Sequence, residues 1–322
     1  MSSAEQVNVT QGQGTEASKP LTIAVIIPTK ERREDLLESV ASMVAQNRRP
    51  NQLIIIDQSK ESCEADLHPM VESCKDMEMK YLWVPEVSGL AAARTRGVNE
   101  AVCDIVFFVD DDITMEPDCI QNLLNRYAEH PEYAGICAVD VEGARVPWWL
   151  VIARRAYMQG PFKDERSMMN KRFFLFDEPR QVRLVSGGYM SYKRWLFDQY
   201  HFEDRLWVHR WNGSIDFSYR VSQDYPIVID PKVHVHHRRP YGTYSSEEFV
   251  RVRVSGTFFF FVRNVKKDLV GWASFSLVLF AIFLISIRRG LQARALGHTL
   301  ATFFHEVRQG FRFIKSPFPA SY

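Results

Sequence analysis

Two kinds of apolar pattern alternate along residues 21–110. Runs rich in branched and aromatic residues, each the length of a strand, begin near residues 21, 53, 81 and 105. Apolar residues at helical spacing follow the first run, over 34–46, and an alanine-rich helical pattern covers 89–101. Strands that alternate with helices predict a mainly parallel α/β sheet covered on both faces. Ligands bind such sheets beyond the carboxyl ends of the strands.

The pattern changes in the last part of the chain. Residues 269–287 carry no charge, and their number is about that needed for a helix to cross a bilayer. Over 296–315, apolar residues alternate with basic ones in a way typical of a helix lying among lipid headgroups. Basic residues on both sides of the uncharged segment give no preferred direction of insertion. We therefore expect 246–322 to be a helical, membrane-associated region, with a hairpin packed on the globular domain as the alternative.

Composition limits the possible partners. The chain has 322 residues, 46% of them hydrophobic, and a formal net charge of +1, so it lacks the positive surplus that nucleic-acid binding demands. Its five cysteines show no C-x-x-C spacing, which favours a reducing compartment over a disulfide framework or a zinc site. Residues 1–20 are polar and lack the apolar core of a signal peptide, so we expect a disordered leader before a domain over 21–245.

Three consecutive aspartates, Asp110, Asp111 and Asp112, follow the apolar run at 105–109. Adjacent carboxylates repel one another, so such a cluster at the end of a buried strand suits a divalent cation with oxygen ligands. Mg²⁺ or Mn²⁺ bound there would in turn bind diphosphate oxygens. A solvated acidic turn that caps the next helix would account for one of the three carboxylates but not easily for all of them.

Other candidates lie near the ends of predicted strands. Asp57 ends the second strand and could accept hydrogen bonds from a base or ribose, or serve as an ordinary turn residue. Arg94, on the alanine-rich helix, is placed to bind phosphate, since a guanidinium group binds two oxygens. Gly187 and Gly188 permit the close approach of a ligand, or a bulge. His236 could complete a metal shell with the aspartates, although a histidine in a polar loop more often only forms hydrogen bonds.

Five segments form a specific set through their order and spacing: LTIAVIIPTKERRE, LIIIDQS, GLAAARTRGVNEAVCDIVFFVDDDI, SGGYMSYKRW and SIDFSYRV. Together they resemble the family 2 glycosyltransferases of GT-A fold over about residues 21–237. The resemblance implies a nucleotide-diphospho-sugar transferase fold and the transfer of a sugar from a nucleotide-sugar donor, with inversion and with the help of Mn²⁺ or Mg²⁺. The C-terminal region is similar to that of relatives that act on lipid-linked or polysaccharide acceptors, which implies attachment to the cytoplasmic face of the cell membrane.

The resemblance implies a donor site built from the ends of several strands. Asp112 matches the direct metal ligand of the DXD motif, and Asp110 matches the residue nearer the ribose. Asp57 matches the aspartate that contacts the base, and Arg94 matches the arginine of the helix before the DXD strand. With His236, the predicted metal set is Asp112, Asp110 and His236. The predicted donor-binding residues are Pro28, Thr29, Arg32, Asp57, Arg94, Asp110, Asp111, Gly187 and Gly188.

One departure from the family concerns the catalytic base. The family usually carries an acidic pair in a pattern like E-D-x-D-F-S-x-R, but Gly213 and Ser214 stand at the positions of that pair here. An inverting transfer needs a base within hydrogen-bond reach of the acceptor hydroxyl. The role therefore falls to Asp216, which also suits a helix N-cap, to Glu203 or Asp204, or to no residue.

Two alternatives belong to other classes of protein. If the base is lost, the chain is a catalytically impaired GT-A-like membrane protein that binds a nucleotide or glycan. Residues 110–114, DDDIT, also fit the D-x-D-x-T pattern of haloacid-dehalogenase-type phosphatases. That family places the motif at its first strand, whereas at least three predicted strands precede it here. Release of inorganic phosphate without sugar transfer would favour the phosphatase.

Overall fold

The computed structural model describes residues 19–72, 74–142, 152, 156–158, 160–163, 177–185, 187–203, 213–238 and 245–315. Within these ranges, a nine-stranded sheet forms the centre of the protein. Most of the predicted leader lies outside the described residues, and so does the predicted catalytic residue Asp204.

The first half of the sheet is parallel, as the alternating pattern predicts. It consists of β1 (Ile23–Thr29), β2 (Gln52–Asp57), β3 (Glu78–Trp83) and β4 (Ile105–Val109), linked by helices α1 (Arg33–Val44), α2 (Glu64–Val71) and α3 (Leu90–Glu100). The spatial order is β3-β2-β1-β4, and Thr29, Asp57 and Trp83 are aligned at the carboxyl ends. Every residue of β1, β2 and β4 is buried, so both faces of the sheet are covered.

The second half of the sheet is mixed. It contains β5 (Ile113–Met115), β6 (Gly135–Asp140), β7 (Arg180–Val182), β8 (Tyr189–Lys193) and β9 (Ile227–His237), accompanied by α4 (Cys119–Glu129) and α5 (Gly213–Asp224). Strand β8 lies between β4 and β6 and is antiparallel to both, whereas β6 and β9 are parallel. The parallel arrangement is therefore limited to part of the sheet, because apolar periodicity indicates a strand but not its direction.

Three helices end the described chain: α6 (Ser246–Asn264), α7 (Leu269–Gln292) and α8 (Leu296–Lys315). They pack on one another and form a second apolar core, rich in phenylalanine and valine, beside the core around the sheet. Gly310 lets α8 approach α6 closely, since a Cβ atom there would lie 2.3 Å from the ring of Phe258. Among the described helices, α7 alone has the length and apolar composition needed to cross a membrane.

Candidate active site

The acidic run lies in the turn after β4, at the carboxyl edge of the parallel strands. The side chains of Asp111 and Asp112 are 7% and 6% exposed. Thr29, the last residue of β1, donates a hydrogen bond of 2.8 Å from Oγ1 to Asp111 Oδ2. Arg32 donates from one nitrogen, Nη1, to Asp111 Oδ1 and to Asp112 Oδ2, over 3.0 Å in each case. The aligned strand ends thus bring together Thr29, Arg32 and the aspartates.

The histidine that faces the acidic turn is His237 rather than the predicted His236. His237 ends β9 and pairs with Ile113 across the sheet, and its Nε2 lies 3.3 Å from Asp112 Oδ1. The ring nitrogens of His236 instead lie 3.7 and 3.3 Å from carboxylate oxygens of Glu116 and Glu142. The reason for the correction is that successive side chains of a strand point to opposite faces of the sheet.

Burial and charge move the pKa values in this cluster in different directions. Burial raises the pKa of Asp111 to about 6, although Thr29 and Arg32 act against it. Burial acts in the same direction on Asp112, but His237 and Arg32 outweigh it and lower the pKa of that carboxyl below its ordinary value. Burial lowers the pKa of His237, but Asp112 outweighs this effect and the pKa is raised overall. Asp112 is therefore ionised at neutral pH.

One carboxylate oxygen of the cluster has no hydrogen-bond donor. Asp112 Oδ1 is buried, and within the described part of the chain its contact with His237 has the distance of an ion pair but not the geometry of a hydrogen bond. A buried carboxylate oxygen without a donor is costly, and a divalent cation bound by Asp112 and His237 would satisfy it. The described residues hold no group of three His, Cys, Asp or Glu side chains arranged for a metal, so a donor phosphate and water would have to supply the other ligands.

Arg94 connects the acidic turn with the predicted glycine pair. Its buried guanidinium donates from Nη2 to Asp110 Oδ1 over 3.1 Å and to the Gly187 carbonyl over 2.6 Å. Its Nη1 donates to Ser214 Oγ over 2.8 Å. A Cβ atom at Gly187 would lie 2.1 Å from Ser214 Oγ, and one at Gly188 would lie 2.9 Å from Asp110 Oδ2. A side chain at either position would therefore displace a polar group of the site.

Asp57 ends β2 beside a cleft of about 170 Å³ at the same edge of the sheet. Its carboxylate is fully buried and accepts hydrogen bonds from the Ser59 backbone N–H, over 2.8 Å, and from the Tyr81 hydroxyl. Burial and the bond to Asp57 raise the pKa of Tyr81. Pro28 pairs with Ile56 inside the sheet and is not among the described residues that line the cleft. The cleft lies where the resemblance predicts the nucleotide base.

Two of the predicted catalytic carboxylates form ion pairs that hold the C-terminal helices. Asp216 is completely buried in the first turn of α5, where one oxygen pairs with an arginine of the same helix and the other accepts from Asn264 Nδ2 over 2.8 Å. Glu203 pairs with Arg263 of α6, whose Nε also lies 3.5 Å from Asp216. The two carboxylates thus fasten α6 to the sheet domain, and neither is placed as an accessible base. Asp204 stays a prediction, since it lies outside the described residues.

Three contacts of the site could not be predicted from the sequence. His237 follows a predicted strand among several histidines, and only the register of β9 distinguishes it from its neighbour. The bond between Arg94 and Ser214 joins residues 120 positions apart. Arg263 lies within an apolar helix, and no local pattern indicates that it pairs with Glu203 and Asp216.

The sheet and the polar residues at its carboxyl edge define a glycosyltransferase of GT-A type. Residues 24–200, more than half of the chain, match glycosyl transferase family 2, and the chain belongs to that family. Membership confirms the predicted family and class of enzyme, and it speaks against the phosphatase alternative.

Solved structures of glycosyltransferases confirm the fold. Residues 1–349 of TarS from S. aureus, in complex with UDP-GlcNAc, align with a TM-score of 0.60 and 14% identity over 91% of this chain and 82% of that one. The mannosyltransferase PcManGT from Pyrobaculum calidifontis, in complex with GDP-Man and Mn²⁺, aligns with a TM-score of 0.56 and 15% identity over 93% of this chain and 88% of that one. At these identities the likeness shows the fold alone.

Curated relatives are similar over part of their length. A glucosyl-dolichyl phosphate glucuronosyltransferase of Haloferax volcanii is 30% identical over 187 residues, 55% of this chain and 53% of the relative. The glycosyltransferase GlyA of Streptococcus pneumoniae is 23% identical over 189 residues, 56% of this chain and 26% of the relative. An uncharacterized glycosyltransferase of Bacillus subtilis, YwdF, is 24% identical over 64% of this chain and 70% of the relative. The chain thus spans about half the length of the first relative.

Proposed function

We propose that the protein is a metal-dependent, inverting glycosyltransferase that moves a sugar from a nucleotide-diphospho-sugar donor to a lipid-linked or polysaccharide acceptor. The observation that carries the proposal is Asp112, a buried and ionised carboxylate with one oxygen free of donors beside His237. It lies at the edge of the sheet where α/β folds bind ligands. Two structural neighbours hold nucleotide sugars, one of them with Mn²⁺, which supports the class of donor.

In this proposal the donor lies along the carboxyl edge from β2 to β4. The cleft beside Asp57 takes the nucleotide base, and Asp110 is nearer the ribose. Arg94 holds Asp110 in place and orients this part of the edge. Thr29 and Arg32 act on the donor through the acidic turn that they hold. The other members of the predicted donor-binding set, Pro28, Asp111, Gly187 and Gly188, stay predictions.

Asp112 and His237 are the residues that would hold Mn²⁺ or Mg²⁺. A cation held by these two residues would supply positive charge to the donor diphosphate and to the leaving group. Arg32 keeps Asp112 ionised and fixes its orientation through Oδ2, which leaves Oδ1 available. His237 must be neutral to serve as a ligand, so its raised pKa makes metal binding compete with a proton.

A second candidate function rests on Ser214. This residue stands at one position of the family's acidic pair and accepts a hydrogen bond from Arg94, while Glu203 and Asp216 are held in ion pairs. A chain without a base would bind the donor and not transfer its sugar. Turnover therefore separates the enzyme from a nucleotide- or glycan-binding protein.

We also propose that the GT-A domain covers residues 21–245 and that residues 246–322 attach it to the cytoplasmic face of the cell membrane. The apolar helix α7 supports membrane attachment. All five cysteines lie in the described part of the chain as buried thiols that form no disulfide bond, which agrees with a reducing compartment. The name of the Haloferax relative specifies glucosyl-dolichyl phosphate, which supports a lipid-linked acceptor.

The test of this function uses the purified full chain with UDP- and GDP-sugars, with and without Mn²⁺. We expect a nucleotide diphosphate to raise the thermal midpoint only when Mn²⁺ is present, and Asp112→Asn to abolish that rise. Asp198→Asn, at an aspartate whose side chain is 71% exposed, is the matched control. A Mn²⁺-dependent rise that survives in Asp112→Asn would contradict the proposal. Binding without sugar transfer would instead support the second candidate function.

A further inference from the structure

Helix α7 has an apolar face that is largely exposed, although the ring of Tyr157 lies 6.3 Å from that of Phe280. Leu269 is 88% exposed and Phe280 is 50% exposed. At about 100° per residue, the exposed apolar residues fall within roughly 160° of the circumference, so they lie on one side of the helix. A contiguous apolar surface of this kind marks an interaction site. We call it the α7 stripe, and it consists of Leu269, Val270, Leu277, Phe280, Leu284, Ile285 and Leu291.

The opposite face of α7 is packed against its two neighbours. The ring of Phe275 stacks on Phe261 of α6 with centroids 4.2 Å apart, and Phe283 lies 5.2 Å from Phe303 of α8. The buried positions of α7 are Gly271, Ser274, Phe275, Val278, Ile282, Ser286 and Gly290. Helix α7 therefore belongs to a three-helix bundle, and the stripe contains its large apolar side chains that stay exposed.

The composition of the bundle argues against a crossing of the bilayer by α7. Helices α6 and α8 pack along α7, so a spanning α7 would carry them into the hydrocarbon or have to separate from them. Helix α6 carries Glu247 and Glu248 in its first turn, followed by Arg251 and Arg253, and such side chains are costly in hydrocarbon. The stripe alone can enter a membrane while these charges stay in water.

Positive charge surrounds the stripe. Residues 265–315 contain eight basic residues (Lys and Arg) and two acidic ones (Asp and Glu). The rest of the chain contains 32 basic and 37 acidic residues, so the positive surplus is confined to this region. Lys266 and Lys267 precede the stripe and are exposed. On α8, Phe304 is exposed and lies 6.1 Å from Phe283, and the exposed Arg308 follows one turn later. Basic residues beside an exposed apolar face complement anionic lipid headgroups.

We propose that the α7 stripe inserts into one leaflet of an anionic lipid bilayer and that α7 lies in the plane of the membrane without crossing it. The inference rests on the membrane attachment in the proposed function and specifies its mode. It uses no residue of the donor site.

The first experiment measures flotation of the full chain with phosphatidylcholine vesicles and with vesicles that also contain phosphatidylglycerol. We expect binding to the anionic vesicles, weakened by added salt. The double variant Phe280→Glu with Leu284→Glu should lower the partition coefficient about tenfold or more, because two acidic groups replace inserted apolar ones. Val102→Glu is the matched control, since Val102 is 81% exposed on the sheet domain.

Two outcomes of the flotation experiment would overturn the inference. One is undiminished vesicle binding by the double variant when its thermal midpoint with Mn²⁺ and UDP or GDP shows that it is folded. The other is no vesicle binding by the unaltered chain, and a concentration-dependent dimer would then identify a second copy as the cover of the stripe. Loss of the nucleotide response with normal vesicle binding would count against the proposed function alone.

The second experiment distinguishes an in-plane helix from a crossing one. Lys266→Cys and Gln292→Cys place single accessible thiols before and at the end of α7, and the five native cysteines are buried. We expect a membrane-impermeant maleimide, added to vesicle-bound protein, to label both positions to the same extent. Protection of one position with labelling of the other would show that α7 crosses the bilayer and would refute the inference.

Discussion

Arg94 and Asp110 form an ion pair in which each charge stabilises the other. Burial lowers the pKa of Arg94, and the charge of Asp110 opposes that effect. The second side-chain acceptor of the guanidinium, Ser214 Oγ, is a neutral hydroxyl. Asp110 is therefore the carboxylate that compensates the buried guanidinium, and its orientation at the edge of the site is fixed by that pairing.

The same crowding around Arg94 gives a prediction for Gly187. A methyl group at this position would meet Ser214 and the guanidinium of Arg94, so Gly187→Ala should lower the free energy of unfolding by about 1–3 kcal/mol and weaken donor binding. Gly213→Ala is the control, because a Cβ atom there meets nothing within 4 Å. Chemical denaturation and titration with Mn²⁺ and nucleotide diphosphates measure both effects. Equal stability of the two variants would show that the close approach is absent in solution.

Asp111 makes stability depend on pH in a known direction. Its pKa of about 6 in the folded protein exceeds the value of about 3.9 for an unperturbed aspartate, so the folded state binds the proton more tightly. Stability from this group is present below pH 4 and is lost as the pH rises through 6. The loss is about 3 kcal/mol for two pKa units.

We expect Asp111→Asn to remove that part of the pH dependence. About half of the full loss, about 1.4 kcal/mol, falls between pH 5 and pH 8. Denaturant unfolding at these two pH values, in the presence of a chelator, measures it as the difference between the variant and the unaltered chain. Asp198→Asn controls for the loss of an exposed charge. If Asp111→Asn and the unaltered chain lose the same stability between the two pH values, Asp111 does not titrate in this range.

Among the structural elements, the sequence predicts single strands and turns but not the pairing of strands that are far apart in the chain. Apolar period and chain order predict β1, β2, β4 and the acidic turn, because each depends on neighbouring residues. The direction of β8 depends on pairing with β4 across about 80 positions, which no period encodes. The register of β9 decides between His236 and His237, and a shift of one residue exchanges the two faces.

The close contact between α6 and α8 gives a prediction at the same scale. Gly310→Ala would push a methyl group into the ring of Phe258 and should destabilise the docking of α8 by about 1–3 kcal/mol. Gly297→Ala, in the first turn of α8, meets nothing within 4 Å and should be neutral or slightly stabilising. Hydrogen exchange of the α8 amides compares the two. Equal protection of α8 in both variants would contradict the packing described.

In the molecule as a whole, Arg263 links the two apolar cores. It extends from α6 to Glu203 and Asp216, which belong to the sheet domain. Removal of Arg263 takes an ion pair away from the buried Glu203, while Asp216 keeps its contacts with Arg220 and Asn264. Because Arg263 is 29% exposed and Asp216 keeps other partners, Arg263→Gln should cost no more than about 3 kcal/mol, the low end for a buried pair.

Hydrogen exchange measured across the whole chain tests this link. We expect faster exchange in α6, α7 and α8 of the Arg263→Gln variant, with β1 and β2 unchanged. Arg251→Gln, at an exposed arginine of the same helix, should leave both regions as they are. Uniform acceleration in the sheet and the helices would mean that the two cores unfold as one unit.

The position of β8 has a consequence for synthesis of the chain on the ribosome. Strand β4, with the sequence IVFFV, gains its second neighbour only when β8 emerges, and the two strands are separated by 79 residues, 110–188. At translation rates of roughly 5–20 residues per second, this apolar edge waits about 4–16 s without its partner. An unpaired apolar edge is a site of aggregation, so the nascent protein is exposed to association with other chains during that interval.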